Sequence, residues 1–238
     1  MLFRSWNVYP VLHLDFSMTK YTALSDLLGQ LNLNLYDWEK LYGKEEVEGT
    51  PAERFRGVIR RAYEQTGKPV VVLIDEYDAP LLDSNHLPEL QNELREEMRK
   101  FFSPLKAQGE YLRFLFLTGI SKFSQMSIFS ELNNLQNISM SDDYSAICGI
   151  TEQELLSQMQ PDIERIAQAN NETYEEACRH LKRQYDGYHF SKICEDIYNP
   201  FSLFNAFSQR DYKSFWFSTG TPTFLIEMLQ RMDFSLNL

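Results

Sequence analysis

Apolar positions return along this chain in two alternating rhythms. Pro10-Val11-Leu12-His13-Leu14-Asp15-Phe16 runs or alternates as a strand does, and Leu24, Leu27, Leu28, Leu31 and Leu35 then recur at helical spacing. Thr50-Pro51-Ala52-Glu53 is a capping box with proline at the first helical position. The helix it starts carries Phe55, Val58, Ile59 and Ala62 on one face and stops at Gly67 and Pro69. Val70 to Ile74 is a continuous run of branched apolar residues, the pattern of a strand covered on both faces. Leu87, Leu90, Leu94, Met98, Phe101, Phe102 and Leu105 predict one long amphipathic helix. After the turn at Gln108-Gly109, Leu112-Arg113-Phe114-Leu115-Phe116-Leu117 predicts a third strand, and a weaker one is expected near Ile138 to Met140. Strands alternating with helices imply right-handed crossovers and a largely parallel sheet, an α/β fold.

Past Gly149 the rhythm is helical only. Thr151-Glu152-Gln153-Glu154 and Thr173-Tyr174-Glu175-Glu176 are capping boxes, and Pro200 and Pro222 stand at expected helix starts. The expected organisation is a sheet-containing core over residues 1–149 and a helical region over 150–238. No low-complexity segment or internal repeat interrupts either part.

Composition narrows the function classes. With 238 residues, 43% hydrophobic, 17 Phe and 13 Tyr, the chain has ample material for a packed core. A net charge of −11 repels phosphate backbones and anionic lipid, which argues against nucleic acid as a default partner, although a local basic cleft would not show in the total. Cys148, Cys178 and Cys194 are far apart and fit no CxxC spacing, so they read as reduced thiols of a cytoplasmic protein. No apolar run approaches a membrane span, and no membrane partner is expected.

The candidate chemistry sits at two strand ends. Val70 to Ile74 delivers Asp75-Glu76 to the carboxyl edge of a parallel sheet, where P-loop ATPases place one carboxylate on Mg²⁺ and a second beside the attacking water. The same pattern also describes a buried strand that ends in a solvated acidic turn. Leu117-Thr118-Gly119-Ile120-Ser121-Lys122 closes the third strand, with Thr118 where a sensor of the γ-phosphate would stand and Ser121 and Lys122 next to it. Asp78 either joins a metal site or caps the next turn. His13, on a strand, reads as a core histidine. His189, in Tyr185-Asp186-Gly187-Tyr188-His189, belongs either to a site or to a packed turn. Phe123, Met126 and Phe129 read as core. Arg54, Arg56, Arg60 and Arg61 cluster on one helix, which a solvated face explains as well as an arginine finger does. No Ser-His-Asp or Cys-His arrangement stands out.

Taken in order, several segments resemble the bacterial AAA-ATPase-like family. They are His13-Leu14-Asp15-Phe16-Ser17, Leu73-Ile74-Asp75-Glu76-Tyr77-Asp78-Ala79-Pro80, Thr118-Gly119-Ile120-Ser121-Lys122-Phe123-Ser124, Gly149-Ile150-Thr151-Glu152-Gln153-Glu154-Leu155, Tyr185-Asp186-Gly187-Tyr188-His189-Phe190, Tyr198-Asn199-Pro200-Phe201-Ser202 and Trp216-Phe217-Ser218-Thr219-Gly220-Thr221-Pro222. The resemblance implies a P-loop ATPase core with a helical lid, often followed by a restriction-endonuclease-like nuclease domain that would bring DNA into play. It implies ATP and Mg²⁺ as ligands, with Asp75 on the metal, Glu76 as catalytic base, and Thr118, Ser121 and Lys122 toward the nucleotide.

One departure is large. A phosphate loop needs Gly, four residues, then Gly-Lys-Ser/Thr. Gly43-Lys44 is followed by Glu45 with Trp38 at the first position, and Gly67-Lys68 by Pro69 with Ala62 there. Neither qualifies. The expectation is therefore a core without its phosphate-loop strand, inactive by itself. The alternative is a non-catalytic interaction or regulatory module that gates a nuclease partner. By resemblance the absent strand would lie beside the strand ending at Thr118, which predicts an open edge there and the spatial order first, second, third for the strands ending at Phe16, Ile74 and Thr118.

Overall fold

Three strands, β1 (Val11–Asp15), β2 (Val70–Asp75) and β3 (Leu112–Leu117), pair in parallel in the order β1-β2-β3. They belong to a computed structural model that describes residues 7–120, 135–191 and 193–215. The chain divides into two compact units, Met1–Leu135 and Gln136–Leu238. The strand order is the one the resemblance implies, and among the described residues β3 pairs with β2 alone. The Ile138–Met140 segment is not a strand. Asn137 accepts from the Ser139 amide at 3.0 Å and Ser141 N donates to Ile138 O at 3.1 Å, so short polar side chains close a turn where the apolar pair suggested extension.

The helices of the first unit are α1 (Leu24–Tyr42), α2 (Pro51–Thr66), α3 (Ala79–Asp83), α4 (Pro88–Phe102) and α5 (Pro104–Ala107). The predicted box opens α2: Thr50 Oγ1 accepts from Glu53 N at 3.3 Å and Glu53 Oε2 accepts from Thr50 N at 2.9 Å. Gly67 closes the helix in the left-handed region, φ 64°, where a side chain would be strained. The single long helix expected from Leu87 to Leu105 is two helices. Pro104 offers no amide hydrogen and its ring blocks continuation, so α4 stops and α5 restarts with Pro104 in its first turn. Leu105 is buried all the same.

One face of the sheet is sealed. Leu12 and Leu14 of β1 and Val70, Val72 and Ile74 of β2 share a buried cluster with Leu27, Leu31 and Leu35 of α1, Phe55 and Val58 of α2, and Met98 and Phe101 of α4. Phe55 and Phe101 stack there with ring centroids 4.7 Å apart. The other face is open: Val11 is 49% exposed and Phe114 53%, while Val71, Leu73 and Phe116 are half-buried. The expectation that β2 is covered on both faces is thus met on one only, among the described residues. His13 is exposed and not a core residue, because strand alternation puts it opposite Leu12 and Leu14. A register irregularity between Val70 and Val71 passes over Arg113, which turns Leu115 and Leu117 to the sealed side and leaves Phe114 and Phe116 alongside Val71 and Leu73.

Two of the clustered arginines correct the solvated-face reading. Arg54 holds half-buried Glu39 through Nε and Nη2 at 2.7 and 2.8 Å, tying α2 to α1. Arg61 grips buried Glu48 of the α1–α2 connection at 2.5 and 3.0 Å. Gly57 lies directly beneath that carboxylate: a Cβ there would fall 1.7 Å from Glu48 Oε1.

The second unit contains α6 (Glu152–Gln158), α7 (Gln160–Ala169), α8 (Tyr174–Tyr185) and α9 (Pro200–Gln209). Both predicted capping boxes form, Thr151 with Glu154 and Thr173 with Glu176. Ile163, Ile166, Leu181, Leu203 and Ala206 make its core. Isolated antiparallel bridges join Ile150 to Tyr198 and Tyr188 to Ile197. Pro222 and the expected helix near Leu225 to Met232 lie outside the described residues. No described helix is long and apolar enough to cross a membrane.

Candidate functional site

The last row of the sheet carries Asp15, Asp75 and Thr118. Parallel register sets Asp15 opposite Asp75, and Ile74 opposite Leu117, so Thr118 follows beside Asp75 at the carboxyl edge. Asp75 has the parity of Val71 and Leu73, so it stands on the open side of the sheet.

Thr118 clips the acidic turn together. Its hydroxyl donates to Asp75 Oδ1 and accepts from the Glu76 amide at 3.4 Å. Its carbonyl accepts from Tyr77 N at 3.0 Å, and its own amide donates to Ile74 O at 2.9 Å. Four consecutive residues, Ile74 to Tyr77, are therefore held by one threonine. Glu76 adopts φ 50°, the left-handed region that non-glycine residues seldom occupy, as the chain turns from β2 toward α3.

The electrostatics separate the carboxylates. Asp15 is engaged by Ser17, whose hydroxyl and amide donate to Oδ1 at 2.7 and 2.8 Å and hold it below the usual carboxylate range. Glu76 is pushed the other way, first by burial and then by the negative charges of Asp78, Asp75 and Asp15. Tyr77 is driven up to about 12 by burial and by Asp78.

Asp78 is fully buried and its side chain makes no capping bond to α3. It accepts instead from Ile120 N at 3.3 Å, tying the acidic turn to the segment that leaves β3. Gly119 makes this approach feasible, because a Cβ there would lie 2.6 Å from both Asp78 Oδ1 and the Tyr77 ring. Sequence reading missed Asp15 as a neighbour of Asp75 and Asp78 as a tie to Ile120. The Asp-Phe-Ser after the first strand was a usable signal for Asp15; nothing local pointed to the second link. Of the remaining candidates, Ser121, Lys122, Phe123, Met126 and Phe129 lie outside the described residues.

The donor set suits a hard cation only in part. Among the described residues no group of three or more His, Cys, Asp or Glu side chains forms a metal cage. Asp75 with the Thr118 hydroxyl matches what Mg²⁺ asks of a protein when most of its ligands are waters and substrate phosphates. The arrangement thus fits a metal brought with a nucleotide, not one held by the protein alone.

The chain resembles known proteins over both units. Residues 2–129 match the family described as predicted AAA-ATPase, AAA-ATPase-like. A protein of Azotobacter chroococcum mcd 1, described as an uncharacterized protein in the vnfD 5′ region, is 36% identical over 221 residues, covering 93% of this chain and 40% of that relative. The chain therefore spans less than half the length of that relative. No solved structure matches it. The family match takes in all three strands and the acidic turn clipped by Thr118, and the chain belongs to the AAA-ATPase-like family.

Proposed function

We propose that the carboxyl edge of this sheet is the metal- and water-handling half of a Mg²⁺-dependent ATP hydrolysis site. The observation that carries the reading is the Thr118 hydroxyl bridging the Asp75 carboxylate and the Glu76 amide, which sets the three residues side by side at adjacent strand ends. Asp75 is the group that would hold Mg²⁺, which when bound neutralises charge developing on the phosphoryl oxygens. Glu76 takes the proton of the attacking water on its carboxylate. Burial and the neighbouring carboxylates raise its pKa, which makes it a stronger base than an exposed glutamate. Thr118 fixes the spacing of the pair, and Ser121 and Lys122 are proposed to reach toward the phosphates.

A second reading is a regulatory module gating a nuclease partner on DNA. The two separate experimentally. By itself the chain is expected to release phosphate from ATP no faster than buffer. With a phosphate loop supplied on the same polypeptide, Glu76→Gln should keep nucleotide binding while hydrolysis falls by roughly 10²-fold or more. Asp75→Ala should weaken Mg²⁺-dependent binding instead. Normal hydrolysis by both variants would make the acidic pair structural and leave the regulatory reading.

A further inference from the structure

The second unit holds a cluster that sequence spacing did not reveal. The paired backbones of Tyr188 and Ile197, with amides donating in both directions at 3.3 and 3.0 Å, close a loop between them. Closure brings His189, Ser191, Cys194 and Asp196 to one place. His189 Nδ1 lies 2.9 Å from Asp196 Oδ1 and 3.7 Å from Cys194 Sγ, and the sulfur lies 3.5 Å from the Ser191 carbonyl. Ser191 is only 4% exposed, and among the described residues its hydroxyl has no hydrogen-bond partner. A buried hydroxyl left unpaired is costly, and it belongs to the residue whose carbonyl the sulfur touches.

We propose that Cys194 is a redox modification site, a thiolate prepared by Ser191 and His189 for oxidation by small hydroperoxides. The unpaired Ser191 hydroxyl is a donor available to a negative sulfur, which a neutral thiol does not require. Asp196 favours the charged form of the imidazole beside it. Both effects have the right sign: Asp196 raises the His189 pKa, and Ser191, the Ser191 and Phe190 amides and His189 lower that of Cys194 against the cost of burial. The other charges near the cluster come from α8, where Lys182 bonds Glu152 and lies in the field of Asp186 and Asp196. The remaining cysteines lack this setting: Cys148 is exposed, and burial pushes the Cys178 thiol up.

The step balances within the cluster and the oxidant. The Cys194 thiolate attacks one oxygen of the hydroperoxide and the O–O bond breaks. Sulfur is oxidised to a sulfenic acid, and the peroxide is reduced as its second oxygen leaves as hydroxide (alkoxide from an organic peroxide). The His189 imidazolium supplies the proton that neutralises it.

The chain itself provides the internal control. Treated with hydrogen peroxide in the presence of dimedone at ~pH 6.5 and digested for mass spectrometry, Cys194 is expected to trap as sulfenic acid about tenfold faster than Cys148 or Cys178. Ser191→Ala and His189→Gln, checked for an unchanged helical circular dichroism signal, should each remove most of that advantage. Equal or slower labelling of Cys194 in the unaltered chain overturns the proposal, as do folded variants that label at the original rate. If a variant fails to fold, the comparison among the three cysteines decides alone.

Discussion

The two faces of the β1-β2-β3 sheet are written in nearly the same apolar alphabet and have different fates. Leu12, Leu14, Val72 and Ile74 disappear beneath α1, α2 and α4, whereas Val11, Val71, Leu73, Phe114 and Phe116 remain open or half-open. The open face is also the one that ends in Asp75. Stability and candidate chemistry are thus carried by opposite sides of the same three strands. An apolar strand face records that cover is suited to it, but does not by itself say that cover is there.

The comparison breaks most readily at the aromatic centre of the sealed face. Phe101→Ala is expected to cost about 3–5 kcal/mol in urea unfolding, whereas Phe114→Ala, truncating a ring on the open face, should cost under about 1 kcal/mol. Equal losses would mean that the open face is packed in solution. Thr118→Val probes the end of the open face with little change of shape. It leaves the Glu76 amide and Asp75 without their shared hydroxyl, at about 1–2 kcal/mol, and should cost hydrolysis as well wherever hydrolysis is observed.

The smallest expected effect is in the pH profile. Glu76 has a folded pKa above its ordinary value of 4.5, so the folded state keeps its proton to higher pH than the unfolded chain does. Stability from this residue is therefore lost as pH rises from about 4.5 through the folded value, the reverse of a salt-bridged carboxylate. Denaturation midpoints measured across that window should fall more steeply in the unaltered chain than in Glu76→Gln. Parallel profiles would show that burial and the three neighbouring aspartates do not act on Glu76 as described.

What could be read from sequence follows the range of the interactions involved. The Thr50–Glu53, Thr151–Glu154 and Thr173–Glu176 caps are complete within a few residues, and all three form. The strands were legible because each is one contiguous run, and their order followed from the family resemblance. Pro104 carried its signal openly, yet the periodicity running through it suggested one helix. The contacts of the site are different in kind. Thr118 and Asp75 are 43 residues apart, and the register irregularity that passes over Arg113 has no local signature. His13 was misplaced because a histidine between two leucines looks apolar by company, while strand parity puts it on the other face.

Glu48 has one more consequence. The α1–α2 connection exposes Val47 almost completely, yet its neighbour is pinned between Arg61 and the bare backbone of Gly57. Conformational freedom in such a segment is limited by the release of a buried ion pair, not by the stiffness of the loop itself. Solvent exchange of its amide hydrogens is then governed by release of Glu48 from Arg61, and a protease presented with Val47 meets an anchored strap instead of a slack connection. A side chain at position 57 would cut the strap without touching it, by filling the space the carboxylate needs.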